Sequence, residues 1–294
     1  MVLVLILLKA TLAVSGMPQI IYGDDDRVEI YRASNAYTRL YSHSVASKID
    51  SDSLTPHLSF IKKLDVLSLA DNWNLCPEVR FKDQPAAGKC SAFMIGKDLM
   101  ATAGHCMRDQ YSCDNSTWVF NYRKDFSYGG NYWFLESDIY KCSRLEFVVS
   151  PGPAFHLDLA IFRLDRAPRY GAKFELSQKG GEDVDVSKLA LLGFPLGAPM
   201  KAIEHVAAHV GPAGWGEEFF HLSVDTFVMN SGSPVFNKKT GILEGILVAG
   251  GTDFKWDDER GCRVENHCLD GDCRGESILK GSYLHQIMKK NGLY

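Results

Sequence analysis

Asp225-Thr-Phe-Val-Met-Asn-Ser-Gly-Ser-Pro-Val-Phe236 is the stretch on which the reading of this 294-residue chain turns. Ser231 sits in a tight Asn-Ser-Gly-Ser-Pro turn, just ahead of an apolar run that reads as a strand. Such a turn exposes a hydroxyl and aims backbone N–H groups at an oxygen placed beside it. Ser233 is the rival hydroxyl, but Pro234 follows it directly, so the turn favours Ser231. Serine is a weak nucleophile at neutral pH. It needs a base within hydrogen-bond reach and a third group to orient that base. Alone, Asn-Ser-Gly is only a polar surface turn, and its meaning comes from two motifs upstream.

The first is Ala101-Thr-Ala-Gly-His-Cys106. Small residues before His105 let the backbone turn tightly and present the imidazole at a strand end. Imidazole titrates near neutrality, so it can take a proton and return it. The second is His156-Leu-Asp-Leu-Ala-Ile-Phe162, in which Asp158 precedes an apolar strand. A carboxylate at that strand's mouth can fix the histidine tautomer and stabilise the imidazolium that forms. Asp158 lies 53 residues after His105.

Around these motifs the chain reads as short strands separated by frequent turns. Leu145-Glu-Phe-Val-Val149, Phe219-Phe-His-Leu-Ser-Val224 and Ile242-Leu-Glu-Gly-Ile-Leu-Val248 are β-branched or aromatic runs. Gly129-Gly130, Pro151-Gly-Pro153, Gly180-Gly181 and Gly250-Gly251 punctuate the chain. That pattern predicts an all-β barrel or sandwich rather than alternating β and α units. Leu284, Ile287 and Met288 share one face of a helix over residues 276–294, which Gly281 weakens by about 1 kcal/mol. Residues 58–69 are ambiguous between helix and coil. Arg166 to Gly181 reads as a linker between residues 17–167 and 168–275.

Thr102-Ala-Gly-His-Cys106, Asp158-Leu-Ala-Ile161 and Asn230-Ser-Gly-Ser-Pro234, in that order, resemble the trypsin-like serine proteases. The Asn-Ser-Gly-Ser-Pro form is closer to the bacterial glutamyl endopeptidase branch than to digestive trypsins. Leu192-Gly-Phe-Pro-Leu-Gly197, Leu243-Glu-Gly-Ile-Leu247 and Tyr22-Gly-Asp-Asp-Asp-Arg27 resemble segments of that branch. The resemblance implies two six-stranded antiparallel β-barrels with the active site between them. His105 and Asp158 would come from the first barrel and Ser231 from the second. It implies a Cys90–Cys106 disulfide, an oxyanion hole built from the N–H groups of Met229 and Ser231, and a protein or peptide substrate. No metal or organic cofactor is implied.

Three departures matter. Met229 stands where the family has glycine, and Met enters glycine-like backbone conformations only with strain. Asn230 replaces the aspartate that pairs with a newly cut N-terminal amine in digestive trypsins, so that activation is not expected. Residues 241–252 contain none of the histidine that glutamate-cutting relatives carry in the pocket wall. Asp225, six residues before Ser231, occupies the position of trypsin's pocket carboxylate. The resemblance thus implies cleavage after Lys or Arg. Met229 also motivates a rival reading, a catalytically silent homologue that captures peptides or a protein partner.

Composition fits these readings. Hydrophobic residues make up 46% of the chain, enough for sizeable cores. A net charge of -4 and the absence of long basic runs exclude nucleic-acid and membrane-surface partners. Residues 1–16 read as a signal peptide, because their apolar run is far short of the ~20 residues of a membrane helix. With export, an even count of eight cysteines favours disulfides. Cys262, His267, Cys268 and Cys273 lack a C-x-x-C pair and make a poor zinc set. The remaining six cysteines allow 15 pairings, which spacing leaves open. The expectation is a secreted or periplasmic monomer.

Overall fold

The structure, a computed structural model, describes residues 21–152, 156–178, 184–208, 216–268 and 275–294. The expected signal peptide, residues 1–16, lies outside them. Val28–Glu29 forms a short strand, β1. Six strands then close into a barrel: β2 (Val45–Ile49), β3 (Gly88–Met94), β4 (Leu99–Thr102), β5 (Thr117–Phe120), β6 (Ile139–Val149) and β7 (Leu159–Leu164). Their order is β6-β7-β4-β3-β2-β5, and β5 pairs back on β6. Leu159, Ala160, Ile161 and Phe162 are all fully buried in β7. Trp118 stacks on Phe162 inside the barrel with ring centroids 4.9 Å apart.

The second unit contains β8 (Leu189–Gly193), β9 (Lys201–Ile203), β10 (Ala207–Ala208), β11 (Phe219–Ser223), β12 (Pro234–Asn237), β13 (Leu243–Ala249) and β14 (Glu276–Lys280). With β1 they form one sheet in the order β10-β11-β14-β13-β12-β8-β9-β1. Among the described residues this sheet is open and eight-stranded, where a second closed six-stranded barrel was expected. The helix runs Gly281–Lys290. Residues 276–280, assigned to it from sequence, belong instead to β14. Gly281 is its first residue rather than an interior weakness, and a Cβ there would lie 2.6 Å from the Leu243 carbonyl oxygen. Within the ambiguous stretch 58–69, Ile61–Leu64 is a strand paired to Leu54–Leu58.

The described part of the linker, residues 166–178, packs against both sheets. The Phe174 N–H donates to the Met94 carbonyl at 2.9 Å. Its ring stacks on Tyr41 and meets Phe93 of the barrel and Phe236 of the second sheet. Disulfides join Cys76–Cys262, Cys90–Cys106 and Cys113–Cys142.

The N-terminal segment is bound by charge. Arg27 is 1% exposed and donates to Asp25 at 2.6 Å and Glu265 at 2.5 Å. Its guanidinium lies 4.1 Å from the centre of the Phe227 ring. Burial pushes the Asp25 carboxyl up, but Arg27, with Arg80, outweighs it and holds the group below its ordinary value. Asp25 therefore adds stability that is complete above the ordinary carboxylate range and is lost as pH falls through the lowered value. Replacing Arg27 by Met strands two buried acids and is expected to cost about 3–5 kcal/mol in urea unfolding near pH 7, with a smaller loss at pH 3.

Candidate active site

Gly104 brings the imidazole to the carboxylate. A Cβ there would lie 2.0 Å from the Val149 carbonyl oxygen and 2.9 Å from the Leu159 nitrogen. Only glycine lets the turn Gly104–Cys106 press on the start of β7, one residue from Asp158. The Cys90–Cys106 disulfide ties the same turn to β3. Asp158 is 1% exposed. Its Oδ1 accepts the His105 backbone N–H at 2.8 Å, and its Oδ2 lies 2.6 Å from His105 Nδ1. With the ring proton on Nδ1, Nε2 is left as an acceptor. The structure thus brings His105 and Asp158 together.

Ser231 is positioned through its backbone. Its carbonyl accepts the Ser91 N–H from β3 at 2.8 Å. Gly232 has φ +85°, and a Cβ there would lie 2.1 Å from the Ser91 carbonyl oxygen and 2.4 Å from Thr102 Oγ1. The serine turn therefore sits directly on the strands that carry Cys90 and lead into His105. Among the described residues no hydrogen bond joins Ser231 Oγ to His105. Such bonds are often long before substrate binds. Ser233, the rival hydroxyl, is fully buried and donates to Ser91 Oγ at 3.0 Å.

Met229 holds φ +76°, a conformation suited to glycine. The cost to a residue with a Cβ is about 1–2 kcal/mol. Flanking groups pin the turn. Asn230 N–H donates to Phe227 O at 3.1 Å, Gly232 N–H to Leu247 O at 2.8 Å, and Leu196 N–H to Val228 O at 2.8 Å. The N–H groups of Met229 and Ser231 have no acceptor among the described residues. The Asn230 side chain is fully buried, and neither its oxygen nor its nitrogen has a partner.

Asp225 requires a correction. Its oxygens accept the N–H groups of Tyr22 at 2.8 Å and Asp26 at 2.7 Å, so it caps the N-terminal segment. It does not line the cavity of about 150 Å³ beside Ser231. Burial, only partly offset by those two bonds, pushes its carboxyl up to about 6. The cavity holds instead two acids that sequence reasoning missed, Asp253 and Glu276. Asp253 accepts the Val228 N–H at 2.9 Å, and burial pushes it up to about 7. Glu276 accepts from Thr226 Oγ1 at 2.5 Å and from the Gly251 N–H at 3.3 Å. Burial, reinforced by the charges of Asp253 and Asp225, pushes it up to about 8. Cys90, His105 and Cys106 lie close enough to suggest a metal site, but the disulfide consumes both sulfurs.

Residues 90–246, just over half of the chain, match the trypsin-like peptidase domain. A solved Glu endopeptidase superposes with a TM-score of 0.50 at 14% identity, over 93% of this chain and 100% of that one. The VesB protease of Vibrio cholerae does so at 0.50 and 15% identity, over 88% of this chain and 66% of that one. At such identities the likeness is one of fold. No curated protein matches the sequence. The order of the motifs, the closed first barrel and the family match agree: the chain belongs to the trypsin-like peptidases.

Proposed function

We propose that the protein is a serine endopeptidase that works through an acyl-enzyme and, with the acids Asp253 and Glu276 lining the cavity beside Ser231, cuts after Lys or Arg. The observation that carries the reading is the doubly bonded His105–Asp158 pair, set beside a serine turn seated on the same barrel. In this mechanism Ser231 Oγ bonds to the scissile carbonyl carbon while its proton passes to His105 Nε2. Asp158 stabilises the imidazolium so formed. The N–H groups of Met229 and Ser231 hold the oxyanion, usually the largest single contribution. Collapse breaks the C–N bond, and the departing amine takes the proton from Nε2. Water then repeats the sequence to release the acid. The three disulfides among the described residues support a secreted or periplasmic site of action, and a monomer suffices for the chemistry.

A fluorophosphonate probe should label Ser231 in the folded, processed protein, and Ser231→Ala should abolish the labelling. Asp158→Asn should lower kcat about 10⁴-fold, because it favours the wrong tautomer. Labelling that survives Ser231→Ala would remove the proposal.

The strained Met229 favours a second reading, a silent homologue that binds peptides. Met229→Gly separates the two. The relieved strain exceeds the added freedom of the unfolded chain, so stability should rise by about 0.5–1 kcal/mol in denaturant titrations. For an enzyme, the native chain labels and Met229→Gly labels several-fold faster. Labelling confined to the glycine variant would assign the silent role.

A further inference from the structure

We propose that Glu276, at the wall of the cavity beside Ser231, is the residue that reads the substrate, its carboxylate pairing with a Lys or Arg side chain next to the scissile bond. The inference rests on the protease reading and supplies the specificity residue that Asp225 fails to be. The cavity touches Ser231 and holds about 150 Å³. That space suits an unbranched side chain. Two of its lining residues, Asp253 and Glu276, are acids and none is a base. Glu276 is 1% exposed, and Thr226 and Gly251 fix the orientation of its carboxylate. Gly250 packs directly against that carboxylate: a Cβ there would lie 2.0 Å from Oε2.

A buried carboxylate without a cationic partner is costly to ionise. Without a cationic ligand, burial and the neighbouring charges of Asp253 and Asp225 favour its neutral form. An entering ammonium or guanidinium supplies the missing charge. The proton leaves Glu276 for solvent, and a charge-assisted hydrogen bond forms. Cation affinity therefore rises with pH and levels off above about 8, where the empty group ionises unaided.

The test uses the full chain as Ser231→Ala, so that binding is read without turnover. Benzamidine, an amidinium, is titrated by calorimetry at pH 7 and pH 8.5, with neutral benzamide as control. Benzamidine should bind at least tenfold more tightly than benzamide, and more tightly at the higher pH. Adding Glu276→Gln should weaken it at least about 30-fold, whereas Asp225→Asn should change it less than about threefold. Gly250→Ala keeps every charge but crowds the carboxylate, and should weaken binding similarly if Glu276→Gln fails to fold. Equal binding of the two ligands, or benzamidine affinity retained in both Glu276→Gln and Gly250→Ala, overturns the assignment. Probe labelling of the native chain reports separately. A labelled protein that ignores benzamidine sinks only the role of Glu276, and an unlabelled one that binds it sinks only the catalysis.

Discussion

The cleft depends on one seam, where the backbone of Ser231 and Gly232 lies on Ser91 and Thr102. Four groups share it. Ser91 N–H donates to Ser231 O, Ser233 Oγ to Ser91 Oγ, and Thr102 Oγ1 to Ser91 O. The glycine fills the remaining space with backbone alone. Because β3 carries Cys90 and β4 leads into His105, this seam fixes Ser231 and His105 relative to one rigid surface. Interiors pack like organic crystals, so a shift on one side of the seam is felt on the other. The Asp158–His105 pair then needs only local geometry, and Gly104 supplies it.

The second constraint comes from the N-terminal segment. Asp225 holds the N–H groups of Tyr22 and Asp26, and Arg27 covers Phe227 while bridging Asp25 and Glu265. The segment thus braces both the loop before Met229 and the strand Cys262–Glu265. A loop braced on two sides can hold a residue at φ +76° that would otherwise relax. The strain at Met229 and the buried charge at Arg27 are two parts of one arrangement.

How much of this was legible in the sequence follows from the range of each signal. His105 and Ser231 lie in local turns whose small residues state their own geometry, Asp158 stands at the mouth of an apolar strand, and the motif order carried the fold. The Cys90–Cys106 pairing came with the resemblance, while Cys76–Cys262 and Cys113–Cys142 had no local mark. Asp225 misled because spacing along the chain says nothing about which way a carboxylate faces. The N–H groups that claim it lie 199 and 203 residues away. Glu276 escaped notice because strand register alone brings it to the cavity: Leu247 pairs with Ile278, and Ala249 with Ser277. The helix boundary failed for a related reason. An apolar run on a buried strand and one on a helical face look alike over five residues.

The disulfide between Cys76 and Cys262 closes a loop of 186 positions that contains His105, Asp158 and Ser231. A single backbone cut anywhere inside that loop leaves two pieces still covalently joined. A molecule that meets a protease can be nicked at a surface turn without losing either half of its cleft. Clipped and intact forms would then differ in their chain ends but not in which parts travel together.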